Sequence, residues 1–140
     1  MTKRHVEVPP EMQAAIGRIQ LGRMEQWHAA RKANAEAILE AAEQCDIFRV
    51  PWPPESVEHA WYKCTFFVHP EEMADDWDRD RVIREISARG VPCMAGICPE
   101  VYREKAFQAA GLGPAERLPV ARRLGETSLM FLVHPTLTQE

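Results

Sequence analysis

Apolar residues recur at helical spacing across most of the first third of the chain: Met12, Ile16 and Ile19, then Met24 and Trp27, then Ile38, Ala42 and Cys45. Strong helix formers fill the gaps, so the spacing predicts a helix over 11–44. At 1.5 Å per residue such a helix is about 50 Å long, whereas a globule of this chain length has a radius of gyration of about 14 Å. Two outcomes satisfy both lengths: a kink near Trp27, or a helix that projects. A projecting helix needs something to pack on, and the alanines within 29–37 would let another element come close. The pattern therefore points to a domain or subunit beyond this unit.

The rest of the chain alternates short strand and helix signals. IFRV at 47–50 reads as a strand, broken by PWPPES at 51–56 because proline fixes φ and removes a donor. AWYKCTFFVH at 60–69 is dense in aromatic and β-branched residues and predicts a largely covered strand. Asp75, Asp76 and Asp78 are candidate caps for a helix ending near Arg89, with Val82, Ile83 and Ile86 facing inward and Gly90 stopping it. A short strand around 91–95 and helices near 100–110 and 115–125 follow, each bounded by glycine or proline. SLMFLV at 128–133 closes the sheet and Pro135 ends it. The expected fold class is α+β: a long N-terminal helix, then a small, mostly antiparallel sheet covered by helices on one face.

Composition removes several function classes. A hydrophobic share of 46% with 27% charged residues is that of a folding domain, and 140 residues suit a single core. A net charge of -4 gives no broad positive field for a phosphate backbone, so no nucleic acid partner is expected. No run approaches the roughly 20 apolar residues that cross a bilayer, and MTKRHVEVPPE lacks the apolar centre of a signal peptide. No membrane association and a cytoplasmic location are the expectations. Cys45, Cys64, Cys93 and Cys98 are too irregularly spaced for a disulfide framework and read as free thiols. Cys93 and Cys98 have no second pair to complete a zinc site, so no metal is expected.

Four segments carry a resemblance: MQAAIGRIQL at 12–21, HAWYKC at 59–64, GVPCMAGICPEVYREKAF at 90–107 and SLMFLVHPTLT at 128–138. Together they resemble the C-terminal part of the DegT/DnrJ/EryC1/StrS aminotransferases, which use pyridoxal phosphate, mostly to aminate keto-sugars attached to nucleotides. The resemblance covers 11–140 as the small domain of a fold-type I aminotransferase and leaves 1–10 unmatched. In the family the segment before this helix carries an asparagine that reaches the cofactor phosphate of the neighbouring subunit; HVEVPP has none. The Schiff-base lysine lies further upstream, in a large domain. Of Lys3, Lys32, Lys63 and Lys105, none aligns with it. The resemblance thus implies a missing large cofactor-binding domain, a homodimer in the intact enzyme, a nucleotide-sugar substrate, and a chain that binds no cofactor and is inactive by itself. A non-catalytic binding module derived from the family, or one half of a split enzyme, are the alternatives.

The resemblance also nominates substrate-binding positions. His59 and Tyr62 stand where relatives carry a histidine and a further His or Tyr at a strand start, facing the cleft between domains; a histidine bonded to backbone at a strand end is the plainer alternative. Gly96, Glu100 and Tyr102 fall in a loop that departs from the commonest family pattern and are placed along the sugar-nucleotide pocket. Otherwise Tyr102 and Phe107 anchor a helix that Glu100 caps. His134 matches a position near the end of the small domain, held extended by Pro135. Arg117, Arg122 and Arg123 are either phosphate contacts or solvated on an outer helix face.

Overall fold

The computed structural model of the chain describes residues 9–96 and 98–137. Most of the unmatched segment 1–10, and with it most of HVEVPP and Lys3, lies outside the described residues.

The predicted long helix is two helices. α1 spans Pro10–Leu21 and α2 spans Met24–Glu43, and the break falls at Gly22–Arg23, ahead of Trp27. Gly22 donates to the Arg18 carbonyl at 3.2 Å, but Arg23 switches to Gln20 at 3.0 Å, a tighter 3-10 step. Kinking and projection therefore occur together. α1 buries none of its side chains, whereas α2 buries Ala35, Leu39 and Ala42, all in its C-terminal half.

Four strands, β1 (Phe48–Arg49), β2 (Cys64–Val68), β3 (Cys93–Ala95) and β4 (Ser128–Phe131), form one antiparallel sheet in the order β1-β2-β4-β3. β4 is thus central. The strand predicted over 60–69 begins only at Cys64, because Trp61 adopts φ 47, the left-handed region that a bulky residue enters only when its surroundings hold it. Cys64 and Cys93 both sit opposite Phe131, while Phe66 and Ala95 flank Leu129. These residues lie on one face, where all but the exposed Ala95 join Ala35, Leu39 and Ala42 of α2 and Val82 of α3 (Arg79–Ala88) in the core. Phe66 stacks on Phe131 at 4.9 Å and meets Phe48 edge-on at 5.1 Å.

α3 starts as the sequence suggests: the Asp78 side chain accepts from the Arg81 N–H at 2.6 Å, and Gly90 follows the helix at φ 87. The predicted helix near 100–110 shrinks to a 3-10 turn at Val101–Arg103 and a one-turn α4 (Lys105–Ala109). α5 (Pro119–Thr127) runs directly into β4 and packs against β2. Part of the second sheet face is therefore covered too, with Thr65 and Phe67 left half-buried. Among the described residues, no helix is long and apolar enough to cross a membrane.

Candidate functional site

The sheet register sorts the six candidate residues into two groups. Cys64 opens β2 opposite Phe131, which ends β4, so His59 and Tyr62 before β2 lie at the same end of the sheet as His134 after β4. Gly96 follows β3 and touches Ser128, the first residue of β4, so it lies at the other end with Glu100 and Tyr102. His134 is six positions beyond Ser128, roughly 20 Å at strand rise.

At the first end, each of two histidines meets the backbone N–H two residues further on. The Trp61 N–H donates to His59 Nδ1 at 3.0 Å, and the Thr136 N–H approaches His134 Nδ1 at 3.4 Å, with Thr136 Oγ1 at 2.8 Å from the same nitrogen. A backbone N–H cannot accept, so Nδ1 of His59 is the acceptor and its neutral ring carries the proton on Nε2, whereas the shorter contact of His134 is to the Thr136 hydroxyl, which can donate or accept. The His59 ring packs on Trp61 with centroids 4.3 Å apart, and Trp61 is itself a core residue. The left-handed backbone at Trp61 is therefore what orients His59. The His134 carbonyl accepts from Asn34 of α2 at 3.0 Å, which ties the end of β4 to that helix. His59 lines an open pocket of about 640 Å³ between α2 and the proline-rich 52–58 stretch, shared with His28, Lys32, Glu36, Trp52 and Trp61. Tyr62 is 78% exposed, with the Lys63 ammonium 5.5 Å from its ring.

At the second end, a carboxylate organises the segment between β3 and α5. Glu100 is 8% exposed; one oxygen accepts from Arg117 Nε at 2.9 Å and from the Tyr102 hydroxyl at 2.6 Å, the other from Arg117 Nη2 at 2.5 Å. Arg103 adds a longer contact of 3.4 Å. The Leu118 N–H donates to the Tyr102 hydroxyl at 3.0 Å, closing the network at the start of α5. The Arg117 fork and the Tyr102 hydroxyl hold the Glu100 carboxyl down at about 2, and the tyrosine hydroxyl is pushed above its ordinary value by burial and by this carboxylate. Tyr102 and Arg117 also line a shallow pocket of about 420 Å³ with Phe107, Gly113 and Glu116. Gly96 has its own reason to be glycine: a Cβ there would meet Ser128 Oγ at 2.3 Å.

These contacts bear on two alternatives that residue spacing leaves open. Glu100 makes no capping bond at the turn it precedes; it binds side chains instead. Arg122 and Arg123 pair with Glu126 at 2.8 Å and Glu71 at 3.3 Å. Spacing gives no sign that Arg117 reaches Glu100, because the contact spans 17 positions across a loop. Among the described residues no group of three or more His, Cys, Asp or Glu side chains gathers to hold a metal ion.

The described lysines do not form a Schiff-base site. Lys32 is exposed on α2 and 3.8 Å from Glu36, Lys63 lies beside the Tyr62 ring, and Lys105 is exposed at the start of α4. None is enclosed with an acidic partner for a pyridine nitrogen, so the described residues do not fit pyridoxal phosphate as a covalent cofactor.

Residues 10–140 match the DegT/DnrJ/EryC1/StrS aminotransferase family. Among solved structures, an aminotransferase from Psychrobacter cryohalolentis is 54% identical with a TM-score of 0.86, over 92% of this chain and 35% of that one. The aminotransferase TlmJ from Streptoalloteichus hindustanus is 25% identical with a TM-score of 0.73, over 90% of this chain and 31% of its own. DesV from S. venezuelae shares the fold, with a TM-score of 0.76 at 23% identity over 99% of this chain and 36% of its own. The chain thus spans about a third of the length of the aminotransferases it matches.

Proposed function

Since the chain belongs to the DegT/DnrJ/EryC1/StrS aminotransferase family, we propose that residues 11–140 are the C-terminal small domain of a pyridoxal-phosphate-dependent enzyme that transfers an amino group to a keto-sugar nucleotide. The observation that carries this reading is the likeness to the Psychrobacter aminotransferase over nearly all of this chain but a third of that enzyme. In this reading the cofactor, which supplies the electron sink for amino transfer, is held by a large domain outside the 140 residues, and the unit by itself neither binds it covalently nor turns over. The bare stripe of Met12, Ile16 and Ile19 on α1 supports a covering partner, for which we take that large domain and, across the homodimer, the second subunit.

His59 and His134 are the side chains we assign to the domain cleft. His59 offers an Nε2–H donor fixed in direction by the Trp61 N–H on Nδ1, suited to a sugar hydroxyl or a phosphate oxygen, and the His134 ring is held at Nδ1 by Thr136. Tyr62 extends the same edge. Gly96, Glu100 and Tyr102 shape the opposite end, where Glu100 positions Tyr102 and the loop because Arg117 already engages both of its oxygens. Closure of such a domain excludes water from the reacting carbonyl. We place the enzyme in the cytoplasm, a reading that the four unpaired cysteines support.

The test is absorbance in the near-ultraviolet and visible after incubating the pure chain with pyridoxal phosphate and dialysing, with borohydride trapping of any lysine adduct. No retained chromophore is the expected result. A stoichiometric adduct on one lysine would overturn the division of labour between domains and make that lysine the centre of the mechanism.

A further inference from the structure

The second face of the sheet holds a cleft that neither group of candidate residues uses. Arg49 and Phe67 are paired across β1 and β2 and so point to that face, and α5 lies alongside. Between them opens a pocket of about 420 Å³ whose apolar lining includes Phe67, Pro119 and Leu124, with Val120 at its rim. That volume lies within the roughly 300–1,000 Å³ of small-molecule sites, which combine apolar walls with few polar groups. The polar residues of its lining are Arg49, His69, Arg123 and Thr127, and the two arginines carry the positive charge. The Arg49 guanidinium lies over the Phe67 ring, 4.1 Å from its centroid, and pairs with no carboxylate among the described residues. Arg123 shares the lip and reaches Glu71 only at 3.3 Å with most of its side chain in solvent. The chain as a whole carries -4, so a positive lip on an apolar cleft is a local inversion of its field.

We infer that this cleft binds a small amphipathic anion: a flat apolar body of one or two rings, or a short acyl chain, ending in one carboxylate, sulfonate or phosphate. The body would lie on Phe67 and Leu124, displacing water from surface that is otherwise apolar and open, and the anionic end would meet Arg49. The stacked guanidinium is already oriented, so little side-chain freedom is lost on binding. Val120, 71% exposed at the rim of the cleft, is the residue at which entry can be blocked without touching the core.

Anilinonaphthalene sulfonate is the probe, being an apolar bicycle with one negative charge, and its uncharged relative phenylnaphthylamine is the control. Fluorescence titration of the purified chain is expected to give one saturable site for the sulfonate and at least about ten-fold weaker binding of the neutral compound. Amide chemical shifts of the isotope-labelled chain should move at Arg49, Phe67, Val120 and Leu124. Arg49→Glu and Val120→Glu should each weaken binding about ten-fold or more, and Ile16→Glu on α1 should leave it unchanged. The inference falls if the sulfonate binds without saturation, if Ile16→Glu abolishes binding while the other two do not, or if the shifts lie along α1. It falls equally if the chain is a dimer that Val120→Glu dissociates with no anion bound, since the cleft would then be a contact between copies. The shift mapping needs no variant and decides the matter even if a substitution prevents folding.

Discussion

At the scale of single residues, the Glu100–Arg117 pair and the Gly96–Ser128 contact fix the second end of the sheet, and each gives a measurable consequence. The Glu100 carboxyl is held near 2, below the ordinary value of 4.5, so the folded chain binds fewer protons there than the unfolded chain at intermediate pH. The stabilisation from the network is therefore complete above about pH 4.5 and is lost as pH falls through that window toward about 2. Glu100→Gln should lower the melting temperature by about 5 °C at neutral pH, and the gap from the parent chain should shrink as the pH is taken down through the same window. Thermal melts of both at stepped pH check this, and a gap independent of pH would remove the ionised carboxylate from the explanation. Gly96→Ala drives a Cβ to within 2.8 Å of the Ser128 Cβ as well as onto its hydroxyl. Overpacking of that kind costs about 1–3 kcal/mol, and Ser128→Gly in the same chain should recover most of it in urea unfolding. Neither contact is legible in the sequence. Gly96 and Glu100 stand out there as residues of interest, but a glycine's neighbour and an acid's partner are set by tertiary approach, which spacing does not encode.

At the scale of elements, legibility follows locality. The start of α3 can be read because Asp78 and Arg81 are three apart and the cap is made within one turn. The position of the break between α1 and α2 cannot, because a glycine inside a helical pattern costs only about 1 kcal/mol and is often tolerated. Trp61 likewise gives no sign in the sequence of its left-handed backbone, so the apolar run overstates the length of β2. These helices differ in what they do for stability. Leu39, 1% exposed in α2, is predicted to cost about 3 kcal/mol on truncation to alanine, whereas Ile16→Ala on the bare α1 should change stability by less than about 0.5 kcal/mol. Gly22 has φ -64 and ψ -14, and an added Cβ would come no nearer than 3.5 Å to the Ile19 carbonyl oxygen. Gly22→Ala should therefore stabilise the chain by about 0.5–1 kcal/mol, read as a shifted urea midpoint at unchanged slope. A loss of stability would show that the break between the helices is required rather than merely permitted.

At the scale of the whole molecule, one core must account for the behaviour of residues far apart in sequence, and the cysteines report on it. Cys64 on β2 and Cys93 on the edge strand β3 both lie opposite Phe131, and burial pushes their thiols up to about 12 and about 11. Neither supplies useful thiolate while the sheet is closed, because the thiolate is the nucleophile. Cys45 and Cys98 are exposed, but the Cys98 thiol donates to Glu104 at 3.3 Å and that carboxylate raises its pKa, so Cys45 should be labelled first at neutral pH. Cys64 and Cys93 should then follow together, at a rate set by opening of the shared core. Once opened, both thiols return to ordinary acidity, so the difference between them in the folded state no longer matters. Peptide mass spectrometry after timed alkylation separates the four sites. Equal protection of Cys64 and Cys93 marks sheet and helices as one cooperative unit. Much faster labelling of Cys93 would mean that β3 peels from β4 while β2 stays packed. In that case the loop from Gly96 to Leu118, held to β4 at Ser128 and to α5 by the Arg117–Glu126 pair at 3.8 Å, would be a locally opening segment rather than a fixed wall of the site.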